Sequence, residues 1–455
     1  MNNKLPHRFL SITVATLLSL TTGCSRSHGL MISDPVCENL SEPLAINTLQ
    51  PRFSWKNNSN REGTSQTAYQ ILVADDIKRL NEEEATHWNS GKIESSSSVL
   101  VAYAGKPLHS GHLLYWKVRA WDENGNASPW SKPVRFGIGL LEKEDWSAAY
   151  IGFPTEEGFQ GSPQLRKTFS IEKAGKKGTF LLHVNSLGYH EVFLNGTKVS
   201  DHVLSPAVSQ FNKRSLIVTY DVTPLLKAGG NDLVIWLGSG WYTGGLPGVM
   251  GNGPAVRAQM ERVHQGAKEA VLHTDGSWTG RNSEYGRISN WMSGRYGGET
   301  IAGNQETREK AFKSPGELKW EPVSLAEVTG HEATPQMVEP NRIQETLSPA
   351  AIEKLNDDTY LVDMGKCLTG WFQITFPELE ESQEIVMEYS DHLNDNGEIY
   401  GQGQVDKYIA SGNGTEHFIN KFNYHGFRYV KISNLNQEPQ LSDMKAHFIH
   451  TDFEV

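Results

Sequence analysis

Apolar and polar residues alternate with a period of two along most of the chain, which is the pattern of β-strands that bury one face. Clear examples are residues 113–131 and 359–376, where aromatic and branched side chains alternate with polar ones, and residues 68–75 also carry a strand signal. Only residues 77–85 and 349–356 favour a short helix. Glycine, asparagine and proline separate the strands at short intervals. The pattern therefore predicts a mostly β protein made of tandem β-sandwich domains.

The predicted strands fall into three units along the chain. Residues 29–138 form a first β-sandwich, in which the segment 113–131 resembles the penultimate strand and turn of a fibronectin type III domain. Residues 140–335 form a second, jelly-roll-like unit, which has a strand, a glycine break, a strand and an Asn-Gly hairpin turn between 181 and 206. Residues 336–455 form the last β-sandwich. We expect the first unit to be a spacer and the chemistry to lie in the other two.

The first 24 residues read as a targeting segment rather than as part of the fold. Lys4 and Arg8 precede a short apolar run at 9–20, and the segment LTTGC ends at Cys24. This arrangement resembles a bacterial lipoprotein signal, which implies cleavage before Cys24 and acylation of its side chain. An ordinary secretory peptide is the alternative. We expect an exported, periplasmic protein that touches the membrane only through a lipid on Cys24, because the apolar run is too short to span a bilayer.

The formal net charge of −11 argues against a nucleic-acid partner. An acidic protein that binds an anion must do so through a local basic pocket. Individual Arg and His residues therefore indicate a binding site better than the net charge does. Apart from Cys24 the chain has only Cys37 and Cys367, which lie in different predicted units, and we expect no disulfide framework. No Cys/His spacing indicates a zinc site.

One predicted strand near the end of the chain combines packing residues with chemically active ones. It reads YHGFRY over Tyr424–Tyr429. A period of two places Tyr424 and Arg428 on one face and His425 on the other. Packing alone does not require both an imidazole and a guanidinium, so this strand is a candidate for catalysis. The alternative is a satisfied hydrogen-bond network inside a β-sandwich.

Two glycine-rich stretches of the second unit carry aromatic residues in predicted loops. Trp241 and Tyr242 follow a strand in a run of glycines, and Arg295 and Tyr296 lie in a similar setting. Sugar rings stack on indole and phenol faces, so these loops are candidates for a carbohydrate site. The alternative is that Trp241 simply covers the end of the sandwich.

Several motifs, in this order, resemble the N-terminal half of bacterial α-L-rhamnosidases: LGYHEVFLNGTKVSDHVLSP, YDVTPLL, LGSGWYTGG, VDMGKCLTGW and YHGFRYVKI, followed by HTD at 450–452. In that family these parts are accessory β-domains, and an (α/α)6 barrel that begins just after the HTD segment supplies the acid and base. We expect this chain to lack the barrel and, with it, plain rhamnosidase activity. Departures from the family at 206–214 and at Lys366-Cys367 add cationic groups near predicted loops.

A small class of stand-alone proteins, the oligosaccharide dehydratases of ulvan-degrading marine Bacteroidetes, shares this resemblance. The resemblance implies a carbon–oxygen lyase that removes water from a non-reducing-end glucuronic acid. The product would be a 4,5-unsaturated uronyl end for a downstream hydrolase.

That reaction needs a base for the C5 proton, a cation for the carboxylate and an acid for the leaving hydroxyl, and it requires no cofactor. By residue type and predicted placement the candidates are His425, His190, Tyr424, Tyr189 and Arg428 for catalysis, and Trp241, Tyr242, Arg295, Tyr296 and Arg214 for the sugar. Two alternatives stay open. One is a non-catalytic protein that binds rhamnose-containing glycans, with calcium as a structural ion. The other is a truncated α-L-rhamnosidase.

Overall fold

The computed structural model describes residues 29–453, apart from 155–159, 173–176, 243–252, 289–290, 293–294, 304, 329–331, 377 and 401–402. Within these residues the chain is built from β-strands, short 3₁₀ turns and one α-helix, so the prediction of a mostly β fold is confirmed. No helix in this part of the chain is both long and apolar enough to cross a membrane.

The first unit packs two small sheets around an aromatic core. The Phe53 ring lies 4.3 Å from the Trp116 ring and 5.4 Å from the Phe136 ring, measured between centroids. Burial alternates along the strand that carries Trp116, as its sequence predicts. The strands are β1 Met31–Cys37, β2 Arg52–Asn58, β3 Gln66–Ala74, β4 Trp88–Asn89, β5 Ile93–Glu94, β6 Val101–Ala102, β7 Leu113–Asp122 and β8 Val134–Gly137.

The second unit is a sandwich whose strands divide between two sheets. The predicted glycine break is Gly188, which lies between β11 and β12 and allows the chain to pass from one sheet to the other. The strands are β9 Ile151–Gly152, β10 Gln160–Ile171, β11 Thr179–Leu187, β12 Tyr189–Leu194, β13 Thr197–Lys198, β14 Arg214–Asp221, β15 Gly229–Gly238, β16 Ala255–His264, β17 Ala267–His273, β18 Thr279–Arg287, β19 Trp291–Met292, β20 Arg295–Tyr296, β21 Glu299–Ala302, β22 Glu321–Pro322, β23 Ser324–Leu325 and β24 Glu332–Pro335.

The third unit surrounds a large apolar core that includes Trp371, Phe372, Tyr389 and Phe427. Its strands are β25 Asn341–Leu347, β26 Ala351–Lys354, β27 Tyr360–Phe376, β28 Glu384–Ser390, β29 Val405–Ile409, β30 Glu416–Ile419, β31 His425–Ser433 and β32 Met444–Thr451.

One continuous sheet joins the second and third units. Its strand order is β13-β12-β15-β10-β18-β21-β29-β28-β31-β27-β32-β25. The junction is the parallel pair β21–β29, in which Thr300 lies opposite Lys407 and Ala302 opposite Ile409. A Cβ atom on Gly298, just before β21, would lie 1.7 Å from the carbonyl oxygen of Val405, so only glycine allows this approach.

Both helix predictions differ from the structure. Residues 351–354 form strand β26 paired with β27, so the helix predicted for 349–356 is wrong. In the 77–85 segment the structure has a 3₁₀ turn at Ile77–Arg79. The helix that does form, α1 (Gln305–Lys313), has a weak apolar pattern. It is held by tertiary packing, because its Phe312 ring stacks 3.9 Å from Phe193 and lies 5.5 Å from Trp236.

Candidate functional site

A cavity of about 230 Å³ lies beside the junction of the second and third units. Both units contribute to its wall, because β18 and β21 belong to the second unit and the segment 422–426 belongs to the third. The side chains with polar groups that line it include Tyr189, Trp241, Arg287, Glu299, Gln404 and Tyr424.

Local backbone geometry places Tyr189 in the cavity wall. Gly188 has a φ of 99°, and a Cβ atom there would lie 2.3 Å from the carbonyl oxygen of Gly238. Only glycine allows so sharp a passage between the two sheets. The bend starts β12 at Tyr189, whose side chain is only 5% exposed and belongs to the core that surrounds the cavity.

Arg287 and Glu299 are direct partners on two antiparallel strands. They occupy the same register position of β18 and β21, so their Cβ atoms lie about 5 Å apart on one face of the sheet. Both line the cavity. Burial lowers the pKa of the Arg287 guanidinium, and nearby Tyr189 opposes that change. The cavity therefore brings together one cationic and one carboxyl side chain.

The indole of Trp241 links the two tyrosines of the cavity. Its N–H lies close enough to both Tyr189 and Tyr424 to lower their pKa values, and because an indole N–H only donates, it faces both phenol oxygens as a donor. Burial raises the pKa of Tyr189, and Tyr424 raises it further. Burial also raises the pKa of Tyr424. Both phenols are therefore neutral near pH 7 and can donate a hydrogen bond or a proton.

A buried polar network lies behind the cavity wall. Asn420 Nδ2 donates to Glu299 Oε2 at 3.2 Å and to Asp406 Oδ2 at 2.7 Å, and so bridges the two carboxyl groups. His425 Nε2 donates to the same Asp406 oxygen at 2.9 Å. All four side chains are at most 4% exposed. The His425 ring stacks on Tyr389 with centroids 4.1 Å apart, and its Nδ1 atom is buried without a hydrogen-bond partner.

The two carboxyl groups of this network titrate differently. Burial raises the pKa of Glu299 to about 8, and the Asp406 charge adds to the rise, against hydrogen bonds from Phe422, Lys421 and Asn420. Burial would also raise the pKa of Asp406, but His425 and the hydrogen bonds it accepts hold that pKa below its usual value. Neighbouring acids whose pKa values are driven apart are a feature of acid–base sites.

Three of the predicted residues line the cavity, namely Tyr189, Trp241 and Tyr424, and His425 lies just behind its wall. Trp241 and Tyr242 are not the exposed platform that the sequence predicted. Both are partly buried, Trp241 packs against two cores, and the Tyr242 ring meets Phe211 edge-on at 5.3 Å.

His190 is a core residue rather than part of the cavity wall. It is 1% exposed, and its ring nitrogens lie 2.7 Å from Ser186 Oγ and 2.9 Å from the Tyr220 hydroxyl. Burial lowers its pKa to about 3, and His202 and Lys198 contribute. The sequence grouped His190 with Tyr189, but neighbouring residues on a strand face opposite sides, and only Tyr189 lines the cavity.

The predicted arginines also lie elsewhere. Arg428 binds Asp363 through two hydrogen bonds of 2.8 Å and is not among the residues that line the cavity. Arg214 is exposed at the start of β14. Arg295 and Tyr296 form the short strand β20, and the structure does not describe their side chains. Cys24 lies outside the described residues.

No sequence motif pointed to Arg287, Glu299 or Gln404. The one local signal was the glycine pair before Glu299, in GRYGGET, which marks a close backbone approach. The side-chain amide of Gln404 pairs with the backbone of Gly426 in the way that a neighbouring strand would. It accepts from the Gly426 N–H at 2.9 Å and donates to the Gly426 carbonyl at 3.0 Å. Within the described residues no three His, Cys, Asp or Glu side chains are arranged to hold a metal ion.

Comparison with known proteins gives three successive matches to family models. Residues 32–142 match an Rha78A-like, N-terminal immunoglobulin domain. Residues 177–345 match an alpha-L-rhamnosidase N-terminal domain, and residues 353–450 match a bacterial alpha-L-rhamnosidase concanavalin-like domain. The model matched by the first unit is thus an immunoglobulin domain, a β-sandwich like the fibronectin type III domain that the sequence resembled.

Individual relatives give the same result. A curated alpha-L-rhamnosidase of Formosa agariphila is 31% identical over 91% of this chain and 47% of its own length. One from Alteromonas sp. (strain LOR) is 29% identical over 95% of this chain and 49% of its own. The solved alpha-L-rhamnosidase of Dictyoglumus thermophilum superposes with a TM-score of 0.83 at 28% identity, over 94% of this chain and 49% of that one. The chain spans about half the length of the curated relatives that it matches.

Proposed function

Because this chain is a rhamnosidase-like protein of partial length, we propose that it acts on rhamnose-containing oligosaccharides and dehydrates a glucuronic acid at their non-reducing end. The C5 proton and the 4-hydroxyl leave as water, and a 4,5-unsaturated uronyl end remains. The similarity to alpha-L-rhamnosidases supports a rhamnose-containing glycan as the substrate. The residues that line the cavity support dehydration as the reaction.

The observation that carries the proposal is that Arg287 and two neutral tyrosines, Tyr189 and Tyr424, line one small cavity. A planar guanidinium can bind both oxygens of a sugar carboxylate. A cavity of about 230 Å³ suits one end of an oligosaccharide rather than the middle of a long chain.

The groups in the cavity match the charges that develop during the elimination. Removal of the C5 proton places negative charge on the neighbouring carboxylate, which Arg287 would stabilise. Departure of the 4-hydroxyl requires a proton, which Tyr189 or Tyr424 would donate. The Trp241 N–H, which faces both phenols as a donor, would help to fix the positions of their oxygens.

The decisive assay mixes the purified protein with rhamnose-containing oligosaccharides that end in glucuronate and follows the ultraviolet absorbance of the conjugated, unsaturated uronate. We expect a rise in absorbance without shortening of the chain, and mass spectrometry should show the loss of one water. A flat trace with binding detected by calorimetry would instead identify a glycan-binding protein.

A second candidate is that the chain is the β-domain part of an α-L-rhamnosidase. The observation in its favour is that curated relatives named alpha-L-rhamnosidase align over about 90% of this chain but only about half of their own length. Release of rhamnose from a chromogenic α-L-rhamnoside tests it, as does a search for a barrel-coding sequence downstream in the gene. Hydrolysis by the chain itself would favour this candidate over the dehydratase.

The cellular setting is part of the proposal. A lipid on Cys24 would hold the protein on the periplasmic side of a membrane, where a hydrolase for unsaturated uronyl ends would consume its product. Metabolic labelling with a fatty-acid analogue, compared between the wild type and Cys24→Ser, tests the anchor.

A further inference from the structure

We propose that Glu299 is the base that removes the C5 proton, an assignment that rests on the dehydration proposed above. Glu299 lines the cavity directly across the strand pair from Arg287. In a uronate, C5 is the ring carbon that bears the carboxylate. If Arg287 binds the carboxylate, C5 is therefore the ring carbon closest to the Arg287–Glu299 pair.

Hydrogen bonds fix the Glu299 carboxyl group while leaving room for a proton. Its Oε2 atom accepts from Asn420 Nδ2 at 3.2 Å and from the Lys421 N–H at 2.8 Å. Its Oε1 atom accepts from one donor, the Phe422 N–H at 2.8 Å. A carboxylate oxygen has two lone pairs, so Oε1 retains capacity for the abstracted proton.

Burial and Asp406 raise the pKa of Glu299, while the hydrogen bonds from Phe422, Lys421 and Asn420 lower it. Asp406 accepts from the Glu299 N–H at 2.7 Å, is held by His425, and brings a like charge close to the carboxyl group. Tyr285 and Tyr389 are buried neighbours whose interaction with Glu299 raises their own pKa values. The Lys421 ammonium group lies 3.6 Å from Glu191 instead. Burial and Asp406 together make Glu299 a stronger base than an ordinary glutamate, with a pKa of about 8.

The step balances without a further reactant. The carboxylate of Glu299 takes the C5 proton, and the electron pair of that C–H bond becomes the C4=C5 double bond. The C4–O bond breaks with its electrons on oxygen, which takes a proton from Tyr189 or Tyr424 to form water. Proton return from Glu299 to the tyrosinate, through solvent, restores both groups.

Hydrogen exchange separates the base from the acid. An oligosaccharide whose terminal uronate lacks the 4-hydroxyl cannot lose water, but its C5 proton can still exchange with D₂O, which NMR detects. We expect exchange with wild type, its loss in Glu299→Gln, and its retention in Tyr189→Phe and Tyr424→Phe, which have lost the acid rather than the base. On the normal substrate Glu299→Gln should lower turnover by about 100- to 10,000-fold.

Glu416→Gln is the matched control for loss of a buried carboxylate. Glu416 is 2% exposed, against 4% for Glu299, and it accepts from the Tyr408 hydroxyl at 2.8 Å away from the cavity. It should keep both exchange and turnover. Unchanged exchange in a folded Glu299→Gln would overturn the assignment while leaving the dehydration intact. Failure of the wild type to dehydrate the normal substrate would overturn the proposed function itself.

The pH profile of kcat/KM decides the case in which wild type dehydrates but shows no exchange. A base must be ionised, so the rate should rise with pH up to about 8. Asp406→Asn removes the like charge and should move this rise to lower pH, whereas Glu299→Gln should abolish it. A profile that stays the same in Asp406→Asn, with the variant folded by circular dichroism, would contradict the assignment.

Discussion

Arg287 and Glu299 occupy the same register position of two antiparallel strands, and both line the cavity at the junction of the second and third units. The pair is 12 residues apart in sequence, and no local motif connects its members. Strand pairing alone brings a cation and a carboxyl group to one side of the cavity. The predictions below test what each part of this arrangement does.

Substitution of Arg287 tests the recognition of the sugar acid. Arg287→Gln should weaken binding of a uronate-ended oligosaccharide by about 10- to 100-fold, because a charge-assisted hydrogen bond to the carboxylate is lost. Binding of the same oligosaccharide with its carboxylate reduced to an alcohol should change little. Calorimetry measures both. Arg428→Gln is the control, since Arg428 pairs with Asp363 outside the cavity lining. Equal losses for both ligands would contradict a carboxylate-binding role.

Trp241 should matter through its N–H group rather than through its ring face. Trp241→Phe keeps an aromatic ring but removes the N–H donor that faces both tyrosine hydroxyls. We expect kcat to fall about 10-fold with a smaller change in KM, because the loosened groups act in the transition state. Trp320→Phe is the control, because Trp320 Nε1 donates to the Pro315 carbonyl instead. Steady-state kinetics give the answer, and an effect confined to KM would favour a sugar-stacking role.

The raised pKa of Glu299 predicts how stability changes with pH. The pKa is raised from 4.5 to about 8 on folding, so between these values the folded state binds a proton that the unfolded state has released. This contribution is complete below pH 4.5 and is lost as the pH rises through about 8. Urea midpoints of wild type and Glu299→Gln, measured at several pH values, should show wild type losing stability relative to the variant across this window. A constant difference would contradict a raised pKa of Glu299 in the folded protein.

His190 should be a stability residue. Its ring bridges Ser186 and Tyr220 in the core, so His190→Leu removes two buried hydrogen bonds and should cost about 1–3 kcal/mol of unfolding free energy. The fraction that remains folded should bind oligosaccharide with unchanged affinity. Denaturation and calorimetry on the same sample test both statements. If the variant had normal stability but no turnover, His190 would instead have a catalytic role.

Gly298 should be essential to the junction between the second and third units. Gly298→Ala places a methyl group 1.7 Å from the Val405 carbonyl oxygen, and the required backbone shift should cost about 2–3 kcal/mol. Gly276→Ala is the matched control, because nothing lies within 4 Å of an added Cβ there. Thermal unfolding compares the two. A Gly298→Ala protein as stable as the control would mean that the β21–β29 pairing can relax.

The sequence predicted the mostly β fold and named three of the residues that line the cavity. Period-two alternation identified β7, whose burial alternates along its length. The strand signals also identified β3 and β27, although parts of both strands are buried on both faces. The sequence identified Tyr189, Trp241 and Tyr424 through unusual local composition. It did not identify Glu299, because the neighbours that define that residue, Asp406 and Asn420, lie more than 100 positions away and meet it only through sheet pairing.

The predicted residues that lie outside the cavity lining were selected for a related reason. Residue type marked His190 and Arg428 as chemically active, but the partners that neutralise such groups are set by the tertiary structure. Tyr220 meets His190 and Asp363 meets Arg428 across 30 and 65 positions of sequence, respectively. A satisfied polar residue and a catalytic one look alike until those partners are known.

The shared sheet has a practical consequence for anyone who dissects or recombines this protein. Family boundaries drawn along the sequence place residues 177–345 and 353–450 in separate modules. If the chain were divided between these two modules, β21 and β29 would become edge strands with unpaired backbone groups. Such exposed edges promote aggregation. The same division would also split the cavity between two polypeptides. Chimeras with other members of the family should therefore exchange the two modules together, as one folding unit.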